Sequence, residues 1–286
     1  MGCMTSVADY IELRARSAFS FLEGATTPED LATHAAEFGY PAIALGDRDG
    51  LYGAPRFHMA AKSAGIRALV GAELTIADDT LKLPRPQGGT SKTRGADRAA
   101  RSAPVPTARL YVLAPDRASY RNLCRMVTES KMRVLNGGAI ARDGTPAPPE
   151  YPPKGESWIT LEDLERHGRG LICLAGGVMS PLARMLVRGE DPRALCDRLA
   201  AMFGVGNFYI DVQRHLDADE ERLNRRLAAL AASMRVPLAV SNDVCHVEAD
   251  RRLLDVLTCI RLGTTLEEAG RALWANSERR LKTPAA

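Results

Sequence analysis

Apolar, β-branched runs alternate with stretches of helical periodicity along this chain. Strand-like runs fall near 10–14, 41–46, 66–76, 108–114, 170–175, 206–213 and 236–241. Between them the spacing predicts helices over 28–38, 53–64, 116–130, 180–203, 217–235 and 248–262, with a shorter one over 265–275. The first helix has a clear start signal. Thr27 is the N-cap, Pro28 takes the first helical position, and Glu29 and Asp30 follow, complementing the bare N–H groups of the first turn. Over 217–235 the period puts Leu223, Leu227 and Leu230 on one face, with Glu220, Arg225 and Arg226 elsewhere. His167 before Gly168 marks a further helix end, where the dipole favours a histidine. Strands alternating with helices predict an α/β fold of parallel strands with right-handed crossovers. No Gly-rich nucleotide fingerprint follows the first strand, so an irregular seven-stranded (β/α) barrel is expected rather than an open sheet. Chemistry in such barrels sits at the carboxyl ends of the strands.

Two stretches break the alternation. Residues 82–107, rich in Pro, Gly, Ser and Arg, read as a flexible basic loop, and residues 135–157, with Pro146, Pro148, Pro149, Pro152 and Pro153, as an extended crossing. In the loop, Lys82, Arg85, Lys92, Arg94, Arg98 and Arg101 stand against Asp97 alone. The net charge of +3 therefore divides into +5 for the loop and −2 for the rest. A solvated loop is the plain reading; contact with DNA is the functional one.

At 286 residues, 45% hydrophobic and 26% charged, the composition is that of a soluble globular protein. A charge this small gives no whole-chain argument for nucleic-acid binding. Six cysteines, at 3, 124, 173, 196, 245 and 259, form no Cys-x-x-Cys pair. Reduced thiols and a cytoplasmic location are expected, not a disulfide framework. No apolar run approaches the roughly 20 residues that span a bilayer, so no membrane partner is expected. The start Met1-Gly2-Cys3-Met4-Thr5-Ser6 matches a short myristoylation pattern that nothing else in the chain supports.

Polar side chains cluster at three strand ends: Leu13-Arg14-Ala15-Arg16-Ser17, Leu45-Gly46-Asp47-Arg48-Asp49-Gly50 and Val70-Gly71-Ala72-Glu73. Further landmarks are Ser20-Phe21-Leu22-Glu23-Gly24-Ala25, Tyr209-Ile210-Asp211-Val212-Gln213-Arg214-His215, Ser241-Asn242-Asp243-Val244 and Asp255-Val256-Leu257-Thr258-Cys259. On these motifs nearly the whole chain resembles the N-terminal PHP (polymerase and histidinol phosphatase) domain of bacterial C-family DNA polymerases, the DNA polymerase III alpha type. Pro153-Lys154-Gly155-Glu156, Glu267-Glu268-Ala269-Gly270-Arg271 and Ala275-Asn276-Ser277-Glu278-Arg279 are most similar to the error-prone, damage-tolerant branch.

In that family the strand ends read His-x-His, Asp-His and Gly-x-Glu, and they gather divalent metals. The resemblance puts Arg14 and Arg16 at the His-x-His pair, Glu23 at a usual aspartate and Arg48 at the histidine after Asp47. It puts Glu73 at the acidic ligand, Arg109 at another histidine and Gly177 at a cysteine or histidine. Asp243 matches, while Cys245 takes a usual histidine position, with His246 as an alternative displaced by one residue. Metal ligands present lone pairs, and a guanidinium has none at any physiological pH. Only Glu23, Glu73, Asp243 and either Cys245 or His246 remain as donors, too few for a hydrolytic cluster. A degenerate metal site with no bound cofactor is implied, with the arginines pairing among Glu23, Asp47, Glu73 and Asp243. The plain alternatives are solvated surface arginines and loop or capping carboxylates. His34 and His58 are expected on helix surfaces, and His215 in a structural hydrogen bond.

The resemblance further implies a barrel over 1–260 and, over 261–286, the start of a linker into polymerase domains that hold the catalytic aspartates and their Mg2+. Implied partners are those domains, DNA through the full-length protein, the sliding clamp and other damage-tolerance proteins. A structural role within an error-prone polymerase is the first expectation. A metal-dependent phosphoesterase or 3′–5′ proofreading exonuclease is the second, and an unrelated β/α-barrel enzyme or binding protein the third.

Overall fold

The structure, a computed structural model, describes residues 10–78, 81–82, 107–133, 156–248 and 251–284. Most of the basic loop and of the proline-rich crossing lies outside the described residues. A six-stranded sheet forms the centre, its strands adjacent in sequence order. They are β1 (Ala42–Arg48), β2 (Arg67–Ile76), β3 (Ala108–Ala114), β4 (Ile172–Leu174), β5 (Phe208–Val212) and β6 (Leu238–Val240). The helices are α1 (Pro28–Glu37), α2 (Ala54–Ser63), α3 (Arg117–Lys131), α4 (Leu161–His167), α5 (Pro181–Val187), α6 (Arg193–Phe203), α7 (Ala218–Met234), α8 (Arg252–Leu262) and α9 (Leu266–Ala269).

The sheet curls. Leu13 and residues from all six strands, among them Ala44, Leu69, Tyr111, Leu174, Tyr209 and Ala239, meet in one inner cluster. The alternate residues of β3, Leu110 and Val112, face the larger outer core with Leu123, Met126 and Phe203 from the surrounding helices. This is the period-2 division that a strand buried on both faces produces. A second outer core, built on Leu31, Ile43 and Phe57, lies under α1 and α2.

Three expectations are corrected. The first of the seven expected strands is not a regular strand. Residues 10–16 make two single bridges instead, Glu12 to Ile43 and Ala15 to Val244. Its polar residues are turned to other partners: the Glu12 carboxylate accepts the Arg14 and Asn242 backbone N–H groups at 2.8 and 3.0 Å. The sheet is not wholly parallel, since β3 runs antiparallel to both β2 and β4. A doubly buried apolar run reads the same in either direction, so the pattern carries no strand polarity. Between β2 and β3 the sequence offers Pro, Gly, Ser and Arg where a helical crossover would be expected. The helix expected over 180–203 is two helices, α5 and α6, parted where Gly189 takes a φ of 76° and Pro192 follows. A left-handed residue and a proline together end one helix and begin another.

Local start signals act as expected. The Thr27 hydroxyl accepts the Asp30 N–H at 3.2 Å. Asp116 and Ser119 form a reciprocal capping box on α3, and Thr160 and Asp163 do the same on α4, of which the sequence marked only the end.

Candidate functional site

The chain reverses or leaves the sheet at its strand ends, and there the polar side chains converge. Arg14 and Arg16 leave the bridged segment after Glu12, Arg48 ends β1, Glu73 is central in β2, and Arg109 begins the reversed strand β3. Because β3 runs backwards, its amino end lies beside the end of β2: Arg109 is opposite Thr75. Asp211 comes from β5, and Asp243 follows β6 with a φ of 48°. An aspartate tolerates this left-handed geometry better than most residues.

These groups form one ion-pair network. Arg14 donates to Asp211 at 2.8 Å and to Glu73 at 3.0 Å. Arg16 reaches Asp243 at 2.5 Å, Glu23 at 3.4 Å and Glu73 at 3.5 Å. Arg109 holds Glu23 through two parallel bonds of 2.8 Å and touches Glu73 at 3.2 Å. Arg48 donates to Glu23 at 2.6 Å, and Arg279 pairs with Asp243. Paired forks of this kind are the strongest guanidinium–carboxylate geometry. The Arg14 guanidinium also lies over the Tyr111 ring, 5.1 Å from its centroid.

Burial and charge act against each other here. Burial alone would raise the Glu23 carboxyl, but Arg109, then Arg48 and Arg16, hold it down to about 2. Asp243 is likewise raised by burial and carried far below the usual carboxylate range by Arg16, Arg279 and Arg14. Glu73 is lowered by Arg16, Arg109 and Arg14 against the same burial. Cys245 is pushed up to about 11 by burial, so it remains a thiol, lying 3.3 Å from the Asp243 carbonyl oxygen.

All nine sequence-predicted positions gather at one place. Arg14, Arg16, Glu23, Glu73, Arg109, Gly177, Asp243 and Cys245 line a cavity of about 170 Å³, and Arg48 joins through Glu23. Gly177 has a φ of 74°, and a Cβ there would come within 3.2 Å of Arg14 Nη1 and 2.9 Å of Gln213 Nε2. The absence of a side chain is what admits the arginine. His246 does not line the cavity; its Nδ1 faces the Glu248 carbonyl oxygen at 2.7 Å. Asp47 also stands apart from the arginines, its carboxylate accepting from the Ser17 N–H and from the Ser17 and Ser20 hydroxyls. His215 makes the structural bonds expected of it, to Glu220 at 2.6 Å and the Asn242 carbonyl at 2.8 Å.

Sequence reasoning missed three participants. Asp211 sits inside a quoted motif without an assigned role, and its neighbour Gly176 donates to it at 2.6 Å. Arg261 and Arg279 also line the cavity. Arg279 arrives on a segment that packs back onto the domain: Cys245 N–H donates to the Arg279 carbonyl at 2.8 Å, and Leu281 is buried.

The donor set does not fit a metal cluster. Its carboxylate oxygens accept from guanidiniums, and among the described residues no group of three or more His, Cys, Asp or Glu side chains is placed to hold a metal. Among those residues, no helix is long and apolar enough to cross a membrane.

A family model for the PHP domain matches residues 12–215. A protein of Anaeromyxobacter sp. (strain K) named Error-prone DNA polymerase is 39% identical over 284 residues, covering 98% of this chain and 21% of that protein. The DNA polymerase III subunit alpha of Treponema pallidum (strain Nichols) is 29% identical, covering 96% and 21%. The chain thus spans about a fifth of the length of the curated relatives it matches. A solved structure from Bifidobacterium adolescentis, described as a metal-dependent phosphoesterase, superposes with a TM-score of 0.47 at 15% identity, over 82% of this chain and 86% of that one.

Proposed function

The chain belongs to the PHP domain family, and from that premise we propose that it is a structural module of an error-prone DNA polymerase acting in damage-tolerant synthesis. Its metal site has been converted into an ion-pair network. The observation that carries this reading is that Arg14, Arg16, Arg48 and Arg109 occupy the ligand positions implied by the family resemblance, each bonded to a carboxylate that would otherwise be a ligand. Without a Lewis acid to lower the pKa of water, no hydroxide nucleophile forms at neutral pH. The residues that remain hold charge and shape, and they supply no nucleophile. Mg2+ belongs, on this reading, to the polymerase domains.

A packing role needs a surface. Along α8, Leu253, Val256 and Ile260 are exposed with 56, 41 and 60% of their surface open. They repeat at i, i+3 and i+7, the spacing of a buried helix face. A stripe of that kind on a soluble domain marks an interaction site. The occupant proposed is another domain of the polymerase, because the relatives are about five times as long as the matched region.

The experiment is metal analysis of the purified chain after dialysis, joined to a nuclease assay on labelled single-stranded DNA with added manganese. We expect no stoichiometric zinc, manganese or iron, and no cleavage. Two tightly held metals per chain, with cleavage that disappears in Glu73→Ala, would establish the exonuclease reading instead.

A further inference from the structure

We infer that the arginine-lined cavity is a receptor for a phosphate-type oxyanion, held by guanidiniums and by no metal. Five guanidiniums line it against three carboxylates. Asp211 and Glu220 pair with Arg14 and Arg279 from outside the lining, so the surface presented to the cavity is positive.

The key residue is Arg261, on the cavity-lining face of α8 and partly exposed. Its nearest carboxylate oxygen is Glu23 Oε1, at 3.9 Å, beyond hydrogen-bond reach. Glu23 has nothing left to offer. Oε1 accepts from Arg48 at 2.6 Å and Arg109 at 2.8 Å, and Oε2 accepts from Arg109 at 2.8 Å and Arg16 at 3.4 Å. A carboxylate has about four lone-pair sites, and four N–H groups already use them. Arg261 is thus a cation among cations with no acceptor of its own. Burial pushes its guanidinium down from the ordinary value, Glu23 works the other way, and Arg109, Arg48 and Arg16 add to the fall. Three more donors are idle: the Nε–H groups of Arg14, Arg109 and Arg279, all cavity-lining residues, are buried without an acceptor.

An oxyanion entering beside Arg261 would supply the missing acceptors. Phosphate suits better than a carboxylate, because its tetrahedral oxygens accept from arginines converging on several sides, whereas a carboxylate engages one fork in one plane. A cavity of about 170 Å³ has room for several waters or one small anion. Two sources share this chemistry, free phosphate and a terminal phosphate on a nucleic-acid strand. The inference does not depend on the scaffold reading, which is decided by metal content and nuclease assays.

The test is calorimetric titration of the whole 286-residue chain with inorganic phosphate in a chloride buffer of constant ionic strength. One saturable site is expected, weakened on the order of tenfold or more in Arg261→Gln, as for loss of one charge-assisted contact. Arg261 is partly exposed, so the variant should melt like the parent without ligand. If it does not, Arg261→Lys, which keeps the charge and loses the fork, should bind with intermediate affinity. Competition by oligonucleotides with and without a 5′-phosphate separates the sources: displacement that needs the terminal phosphate points to strand ends, and displacement by free phosphate alone points to the ion. Absence of a saturable site, equal binding by Arg261→Gln and the parent, or oligonucleotide binding indifferent to both the terminal phosphate and Arg261 would overturn the inference.

Discussion

A buried arginine is tolerable only where its partners remain, and the network makes that statement quantitative. Arg14 is about 3% exposed in its side chain and serves Glu73 and Asp211 together. Removing it leaves two buried carboxylates short of a partner, a change that costs about 3–5 kcal/mol. Arg14→Met should therefore lower the melting temperature steeply. Arg48 is 29% exposed, and Glu23 keeps Arg16 and Arg109 without it, so Arg48→Ala should cost about 1 kcal/mol; equal losses for the two variants would contradict the network. The same pairs set an acid limit. Glu23, Glu73 and Asp243 have folded pKa values below their unfolded ones, so their stabilisation is complete above about pH 4.5 and is lost as the pH falls through the lowered values, about 2 for Glu23. Unfolding midpoints followed between pH 5 and 2 should drop, and more steeply than in Glu23→Gln, which lacks one of these groups. The nine positions of this site were legible through the family resemblance, whose motifs fall at the strand ends, and periodicity alone would not have grouped them. Asp211 and Arg279 were not legible. One is an aspartate in an apolar strand whose partner lies 197 residues away, and the other reaches the rim only through the path of the folded chain.

Elements differ in how much of themselves they announce. Helix starts are written locally, in a capping side chain that α1 and α7 follow with a proline or acids and α3 with the serine of a capping box, and all three begin within a residue or so of the positions expected. Strand direction is not written locally at all, which is why the reversed β3 was expected to run parallel. The segment 10–16 shows a third case. It is apolar enough to read as a strand, yet it is held by single bridges and by the Glu12 carboxylate, which also accepts from Tyr10 at 2.8 Å. Burial raises Glu12 to about 7, against lowering by Tyr10, Arg14 and Asn242. An acid whose pKa rises on folding works in the opposite sense to the network. The folded state takes up a proton that the unfolded chain has lost, so stability declines as the pH rises from about 4.5 to about 7 and is flat above it. In Glu12→Gln that decline should be absent. A melting curve with the same slope between pH 5 and 7 in both proteins would show that Glu12 is ionised throughout.

At the scale of the whole molecule, one face of α8 is turned inward and the other outward, and they do different things. Leu254, Thr258 and Cys259 are buried, and Leu254, Thr258 and Arg261 line the cavity. Leu253, Val256 and Ile260 face away with their side chains open. A single helix therefore joins the arginine-lined cavity to the surface proposed to carry another polymerase domain. Three open apolar side chains on one stripe contribute little to the fold of this chain, since surface substitutions away from special features usually change stability by no more than about 0.5 kcal/mol. Their cost appears only when they are compared with and without a neighbour. Replacing Leu253, Val256 and Ile260 together by serine should leave the melting temperature of the isolated chain nearly unchanged. In a full-length polymerase carrying this domain, the same triple change should loosen the domain, measured as faster proteolytic separation and lower thermal stability. Each side chain returned to water forfeits about 1.5–3 kcal/mol of burial if it is fully covered in the assembly. A full-length enzyme indifferent to the triple change would place the interdomain contact elsewhere on the domain. An isolated chain that lost stability with it would mean that the stripe packs within the domain in solution.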